Sequence, residues 1–250
     1  MAKLTYHNAG EKIYETGVKD GVLFVYDKKE KKYGTGVAWQ GLTAVTESPS
    51  GAEPTALYAN DVKYLNLLST EEFGASIEAY TYPDEFAVCD GSAAISAGTG
   101  KGKMYIGQQS RRTFALVYKT TVGNDTEGND YAYKLHLIYG CLAAPSEKAY
   151  ATINDSPEAI TFSWEVSTTP VSVVLKEGEN TVTYKPTASV TLSSVDFMDE
   201  EGELDANFLA LVDYIYGTDA AGDAEGTDPT LPMPADVYAL LTTGKVEAAA

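Results

Sequence analysis

The stretch ITFSWEVST (160–168) settles the class of fold, because its apolar and polar residues alternate strictly. Ile160, Phe162, Trp164 and Val166 fall on one side, and Thr161, Ser163, Glu165 and Ser167 on the other. A period of two is the signature of a strand with one face against a core. The same period recurs outward along the chain. Tyr131, Tyr133, Leu135, Leu137 and Tyr139 share a face, as do Phe114, Leu116 and Tyr118. Phe73, Ala75, Ile77 and Ala79 do likewise, opposite Ser76, Glu78 and Tyr80. Farther toward the N-terminus, VLFVY (22–26) ends in DKKEKK and resumes at Tyr33–Trp39, which predicts a hairpin with a charged tip. Short strands are expected at Val171–Leu175 and Val190–Leu192.

Helical signals are few. PDEFAVCDG (83–91) predicts a short helical turn with Pro83 at its first position. Leu204, Phe208, Leu211, Val212 and Ile215 form one apolar stripe at helical spacing, and Gly217 is a natural stop. A last short helix is expected after Pro234. The pattern as a whole predicts a mainly β (α+β) chain: two packed antiparallel sheets forming a sandwich or barrel, one flanking helix and a long protruding loop. Its expected core includes Phe114, Leu116, Leu135, Leu137, Phe162, Trp164, Phe208 and Leu211. Residues 1–217 are expected to form the β domain, with the helix at about 204–217. Residues 218–250 are expected to form an acidic linker and the short C-terminal helix.

Two segments resist the strand pattern. From Gln40 to Thr70 the chain runs through the turn-rich TESPSGAEPT and then ALYANDVKYLNLLST, with no clear element. So long a connection in a compact domain is usually functional. Its apolar content argues against simple disorder. An exposed apolar loop of this kind marks a protein interface, and Tyr58, Val62, Tyr64, Leu65 and Leu67 are the residues expected to carry it. SAAISAGTGKGKM (92–104) is Gly-rich and reads as a mobile loop.

The net charge of the 250 residues is −18, unevenly spread. Residues 1–32 balance at +2, residues 33–194 at −8 and residues 195–250 at −12. Such a chain lacks the basic footprint that nucleic-acid binding needs. No run of 18 apolar residues spans a bilayer, and MAKLTYHNAGEKIY lacks the apolar region of a secretory leader. Cys89 and Cys141, without C-x-x-C spacing, read as reduced, buried thiols.

Catalytic and metal patterns are weak. His7 and His136 are the two histidines, and no nucleophile or acid is named beside either. Asn124, Asp125, Glu127, Asn129 and Asp130 lack the register of a calcium loop and read as a polar hairpin turn. GTGKGK lacks the strand-before, helix-after setting of a phosphate cradle. Glu78, Asp84, Glu85 and Glu165 could supply a glycosidase's carboxylate pair, but any acidic chain offers such pairs. No enzyme activity, cofactor or metal is expected.

The strings YTYPDEFA (80–87), GNDTEGNDY (123–131) and NDSPEAITFSWE (154–165), in that order, resemble the major tail protein of long-tailed bacteriophages. The branch is the one common in phages of low-GC Gram-positive bacteria, and the resemblance runs from about Val22 to Gly217. It implies a non-enzymatic virion protein, assembled in the host cytoplasm, that polymerises as stacked hexameric rings into a tail tube. DNA would pass through the lumen without specific binding and without a membrane. Tail terminator, tape measure and distal tail proteins would be its partners. On that reading the 40–70 segment stacks the rings, and Glu71, Glu72 and Glu78 are the expected lumen-facing acids. Two alternatives stay open: the tube protein of a contractile or secretion-type system, and a monomeric carbohydrate-binding β-sandwich.

Overall fold

The computed structural model describes residues 5–6, 8–98, 102–153, 155, 158–178, 180–199, 201–220 and 225–246. In chain order the strands begin with β1 (Tyr14–Asp27), β2 (Lys32–Tyr33), β3 (Val37–Trp39) and β4 (Leu42–Glu47). Next come β5 (Pro54–Ala59), β6 (Val62–Leu68) and β7 (Gly74–Ala79), then a 3₁₀ turn at Asp84–Val88. β8 (Ala93–Ser96) and β9 (Lys103–Ile106) lead into the two long strands β10 (Phe114–Asn124) and β11 (Gly128–Ala143). β12 (Phe162–Thr168), β13 (Val171–Glu177), β14 (Asn180–Thr187) and β15 (Ser189–Ser193) follow. The chain closes with α1 (Ala206–Tyr216) and α2 (Pro234–Thr243).

Among the described residues, nine strands join one antiparallel sheet in the order β2–β1–β10–β11–β12–β7–β4, with β3 on β1 and β15 on β11. β3 and β4 stand near opposite ends of that order, yet only Gln40 and Gly41 separate them. The sheet therefore curls until β1 and β4 lie against each other. Gly41 makes the corner: its φ is 77°, and a Cβ there would stand 2.8 Å from Thr81 Cγ2. The result is a mainly β fold whose facing sheet walls enclose one core, with helices flanking the outside.

β10 and β11 are buried on both faces, so a second apolar cluster lies outside the curl. Inside the curl, Leu23, Trp39, Ile77, Phe86, Phe114, Leu116, Ile138 and Trp164 pack together. Trp164 touches Trp39, Tyr82, Phe86 and Phe162 edge-on or stacked, with ring centroids 5.0–6.0 Å away. Outside the curl, Leu135, Leu137 and Tyr139 meet Leu211 and Ile215 of α1, and Val237 and Leu240 of α2. Gly140 lets β11 serve both layers. At φ 63° it opens a register shift, after which β11 exchanges β15 (Lys134–Ile138) for β12 (Cys141–Ala143).

Several expectations change here. The 40–70 segment is not a loop. β4 belongs to the main sheet, and β5 and β6 form a hairpin whose tip, Asn60–Asp61, has φ of 51° and 63°, as a two-residue hairpin turn of the primed type requires. SAAISAGTGKGKM is likewise a hairpin, β8–β9; its tip, 99–101, lies outside the described residues, as does His7. β14 escaped the sequence pattern and pairs with β13. Leu204 stands outside the helix expected at 204–217, because Asp205 caps α1 by accepting from the Asn207 and Phe208 N–H groups. Phe208 is buried against Phe197, and Phe162 is only partly buried.

A boundary at 217/218 does not divide the core. Leu231, Val237 and Leu240 lie in the same cluster as Leu211, and the Tyr139 hydroxyl donates to the Pro232 carbonyl at 2.9 Å. α2 is set by Pro234 at its start, by Asp236 accepting from the Met233 N–H, and by left-handed Gly244 at its end.

Trp164→Ala should cost about 3–5 kcal/mol, the range for removing a fully buried aromatic. Denaturant unfolding checks it; a cost below about 1 kcal/mol would place Trp164 outside the load it carries here.

Candidate assembly surface

The β5–β6 hairpin continues the β4–β7 ladder away from the body. At its root the Ser48 N–H donates to the Gly74 carbonyl, and Ser50 and Glu72 exchange two hydrogen bonds of 2.8 Å. Beyond that root the ribbon leaves both cores, and every residue of β6 is exposed. Its pairs run from Pro54↔Leu68 to Leu57↔Leu65, then through a register shift to Tyr58↔Lys63 and Ala59↔Val62.

Paired residues share a face and neighbours along a strand alternate. Leu57, Leu65 and Leu67 thus form one face. Tyr58, Tyr64 and Leu68 stand on the other, and Val62 sits beside the tip. Tyr58, Tyr64 and Leu68 keep 72%, 70% and 71% of their surface exposed. The sequence places Tyr58, Val62, Tyr64, Leu65 and Leu67 on one interface; the structure distributes them over both faces of a ribbon. A second apolar projection stands where the sequence predicts a mobile loop. β8–β9 exposes Ile95, Met104, Tyr105 and Ile106.

The three expected acids fall in two places. Glu71 and Glu72 stand at the hairpin root, both exposed. Glu78 projects from β7, paired with Ser163 of β12 and Ala44 of β4. Glu165 pairs with Ser76 one step along the same outer face. Strands β4, β7 and β12 carry no Lys or Arg, so this exposed wall is polar, small-chained and anionic.

Toward Glu15 and Glu47 the inner face of the curl turns polar. His136 stacks flat on Tyr118, centroids 4.7 Å apart. Its Nε2 lies 3.0 Å from the Thr120 hydroxyl, which donates to Glu15. Its Nδ1 makes no hydrogen bond but lies 3.5 Å from Glu47 Oε1, which accepts from the Tyr118 hydroxyl at 2.7 Å. Lys134 closes the group on Glu15. The His136 contact, with the Tyr118 hydroxyl behind it, holds the Glu47 carboxyl below the usual carboxylate range against the opposing effect of burial. Burial, then the hydrogen bond to Glu47, push the Tyr118 hydroxyl upward. These groups join β1, β4, β10 and β11; an exposed nucleophile is not among them.

Other candidates are engaged in structure. Asn124 accepts from the Thr126 and Glu127 N–H groups of its own turn, and Asp125 accepts from the Gly10 N–H and pairs with Lys12. Asp84 pairs with Lys103 at 2.7 Å. Asp90, nearly buried, accepts from Trp164 Nε1 and pairs with Lys148. Burial pushes the Cys89 thiol up to about 12, and both cysteines are buried and free. Among the described residues, no group of three or more His, Cys, Asp or Glu is placed to hold a metal ion, and no helix is long and apolar enough to cross a membrane.

No protein-family model matches the chain, and a search of curated proteins returns no match.

Because the folded Glu47 carboxyl titrates below its ordinary value of 4.5, its contribution to stability is complete above that value and lost as pH falls through the lowered one. Glu47→Gln should lower the thermal midpoint at pH 7 and flatten its decline between about pH 5 and pH 3. Midpoints measured across that range check it; an unchanged acid slope would remove Glu47 from the pH response.

Proposed function

We propose that this chain is a structural tube subunit. It polymerises as stacked hexameric rings into the tail tube of a long-tailed phage, the role its sequence strings imply. The observation that carries the reading is the β5–β6 ribbon. A two-stranded hairpin is marginally stable alone in water. This one exposes large apolar side chains that a monomer would hide. Its place in the chain, between two strands of the main sheet, couples any contact it makes to the body of the subunit.

The cation-free wall of β4, β7 and β12 supports the conducting role. DNA carries one negative charge per roughly 1.7 Å of axis. A lumen bearing Glu78 and Glu165 with no Lys or Arg would give it nothing to bind. In this proposal Glu71 and Glu72 stand at the ribbon root rather than on the wall. The tail terminator, tape measure and distal tail proteins would meet the two ends and the lumen of the finished tube. The chemistry is passive: shape, repulsion and closure, with no bond made or broken.

Negative-stain electron microscopy of the purified chain, with light scattering on the same sample, is the test. Rings or tubes with a central channel are expected; a stable 26.8 kDa monomer at every concentration would count against the proposal. Replacing 54–68 with a short Gly-Ser link should leave the body folded and abolish polymerisation. Glu78→Lys should permit tubes but slow genome ejection; ejection at the normal rate would move Glu78 off the lumen.

A further inference from the structure

The sequence of β6, VKYLNLL, does not alternate, and its partner β5 adds Leu57 and Tyr58. A near-continuous apolar run between turn signals is the pattern of a strand covered on both faces. Here such a strand lies bare on both faces. One partner laid against a two-stranded ribbon covers one face and leaves the other in water.

We infer that each β5–β6 ribbon is held between two other copies of this chain, one on the leucine face (Leu57, Leu65, Leu67) and one on the tyrosine face (Tyr58, Tyr64, Leu68). The inference rests on the tube reading and specifies how its contacts are made. Two features of the ribbon favour copies of the chain as occupants. The first is charge. Residues 54–68 carry Asp61 and Lys63 and so balance at zero, within a chain of −18. An anionic copy can approach this ribbon without the repulsion it meets elsewhere. The second is area. Seven residues at about 3.3 Å rise, two strands wide, offer roughly 200 Å² per face. A stable pair buries about 800 Å² per partner. A single face is too small to hold one partner, so the contact gains strength by using both faces and by repetition around a closed assembly. The chain also carries apolar surface suited to receive it, at Ile95, Met104 and Tyr105 of the β8–β9 hairpin.

Two triple variants separate the faces: Leu57→Ser with Leu65→Ser and Leu67→Ser, and Tyr58→Ser with Tyr64→Ser and Leu68→Ser. The ribbon lies outside both cores, so each variant should keep the wild-type near-ultraviolet circular dichroism of the buried tryptophans. Each should raise the concentration needed for polymerisation at least about tenfold, read by light scattering and microscopy. If the wild type forms tubes and either variant polymerises as readily, the two-sided contact is overturned while the tube reading stands. If the wild type never polymerises, both fall together.

Discussion

The ladder between β10 and β11 is the constraint on which the rest of the fold depends. Its apolar residues lie on both faces: Phe114, Leu116 and Ile138 on one, Ala115, Val117, Leu135, Leu137 and Tyr139 on the other. A single flat sheet cannot bury two such faces. One is covered because the sheet curls until β1 and β4 meet. The other is covered by α1, α2 and the start of β13, which makes the C-terminal segment part of the body rather than an appendage. The bulge at Gly140 reconciles the two layers, since β11 must leave β15 and join β12 without losing hydrogen bonds.

Within that body many buried polar groups find partners, while Thr43 Oγ1, Arg111 Nε, His136 Nδ1 and Ser146 Oγ are buried without a hydrogen bond. Trp164 Nε1 reaches Asp90, which Lys148 neutralises, and the Tyr139 hydroxyl reaches a backbone carbonyl. On the inner face of the curl Glu15 and Glu47 flank His136. Paired groups such as Trp164 Nε1 and the Tyr139 hydroxyl favour one packing, since an unpaired buried partner would cost more than the bond contributes. The projecting hairpins invert the arrangement. Their backbone is paired, yet their side chains are those of an interior. The hairpins thus leave large apolar side chains uncovered, and it is on this exposed surface that the proposed assembly rests.

Much of the sheet was legible from a period of two. ITFSWEVST reads directly as β12, and Phe73–Ala79 as β7, because each has one face in the core and one in water. The ribbon at 54–68 was not, because both of its faces are apolar and no alternation survives. Its Asn60–Asp61 turn was the available signal, since both residues tolerate positive φ. β8–β9 was hidden by its glycines and β14 by its polar, exposed residues. Glu165 was visible as an acid but not as the neighbour of Glu78, because that relation exists only across the β7–β12 register.

By itself the sequence determined the β class, the positions of the long strands, the stop of α1 at Gly217, the start of α2 at Pro234, and the strongly anionic balance. These are local properties, set by side-chain period, backbone preference and composition. Only the tertiary structure decided that β10 and β11 are buried twice, that the C-terminal helix closes the second core, and that the segment after β4 is a bare ribbon with two apolar faces. Those depend on which distant strands pair and on what is left uncovered afterward, and neither is encoded within any one window of the chain.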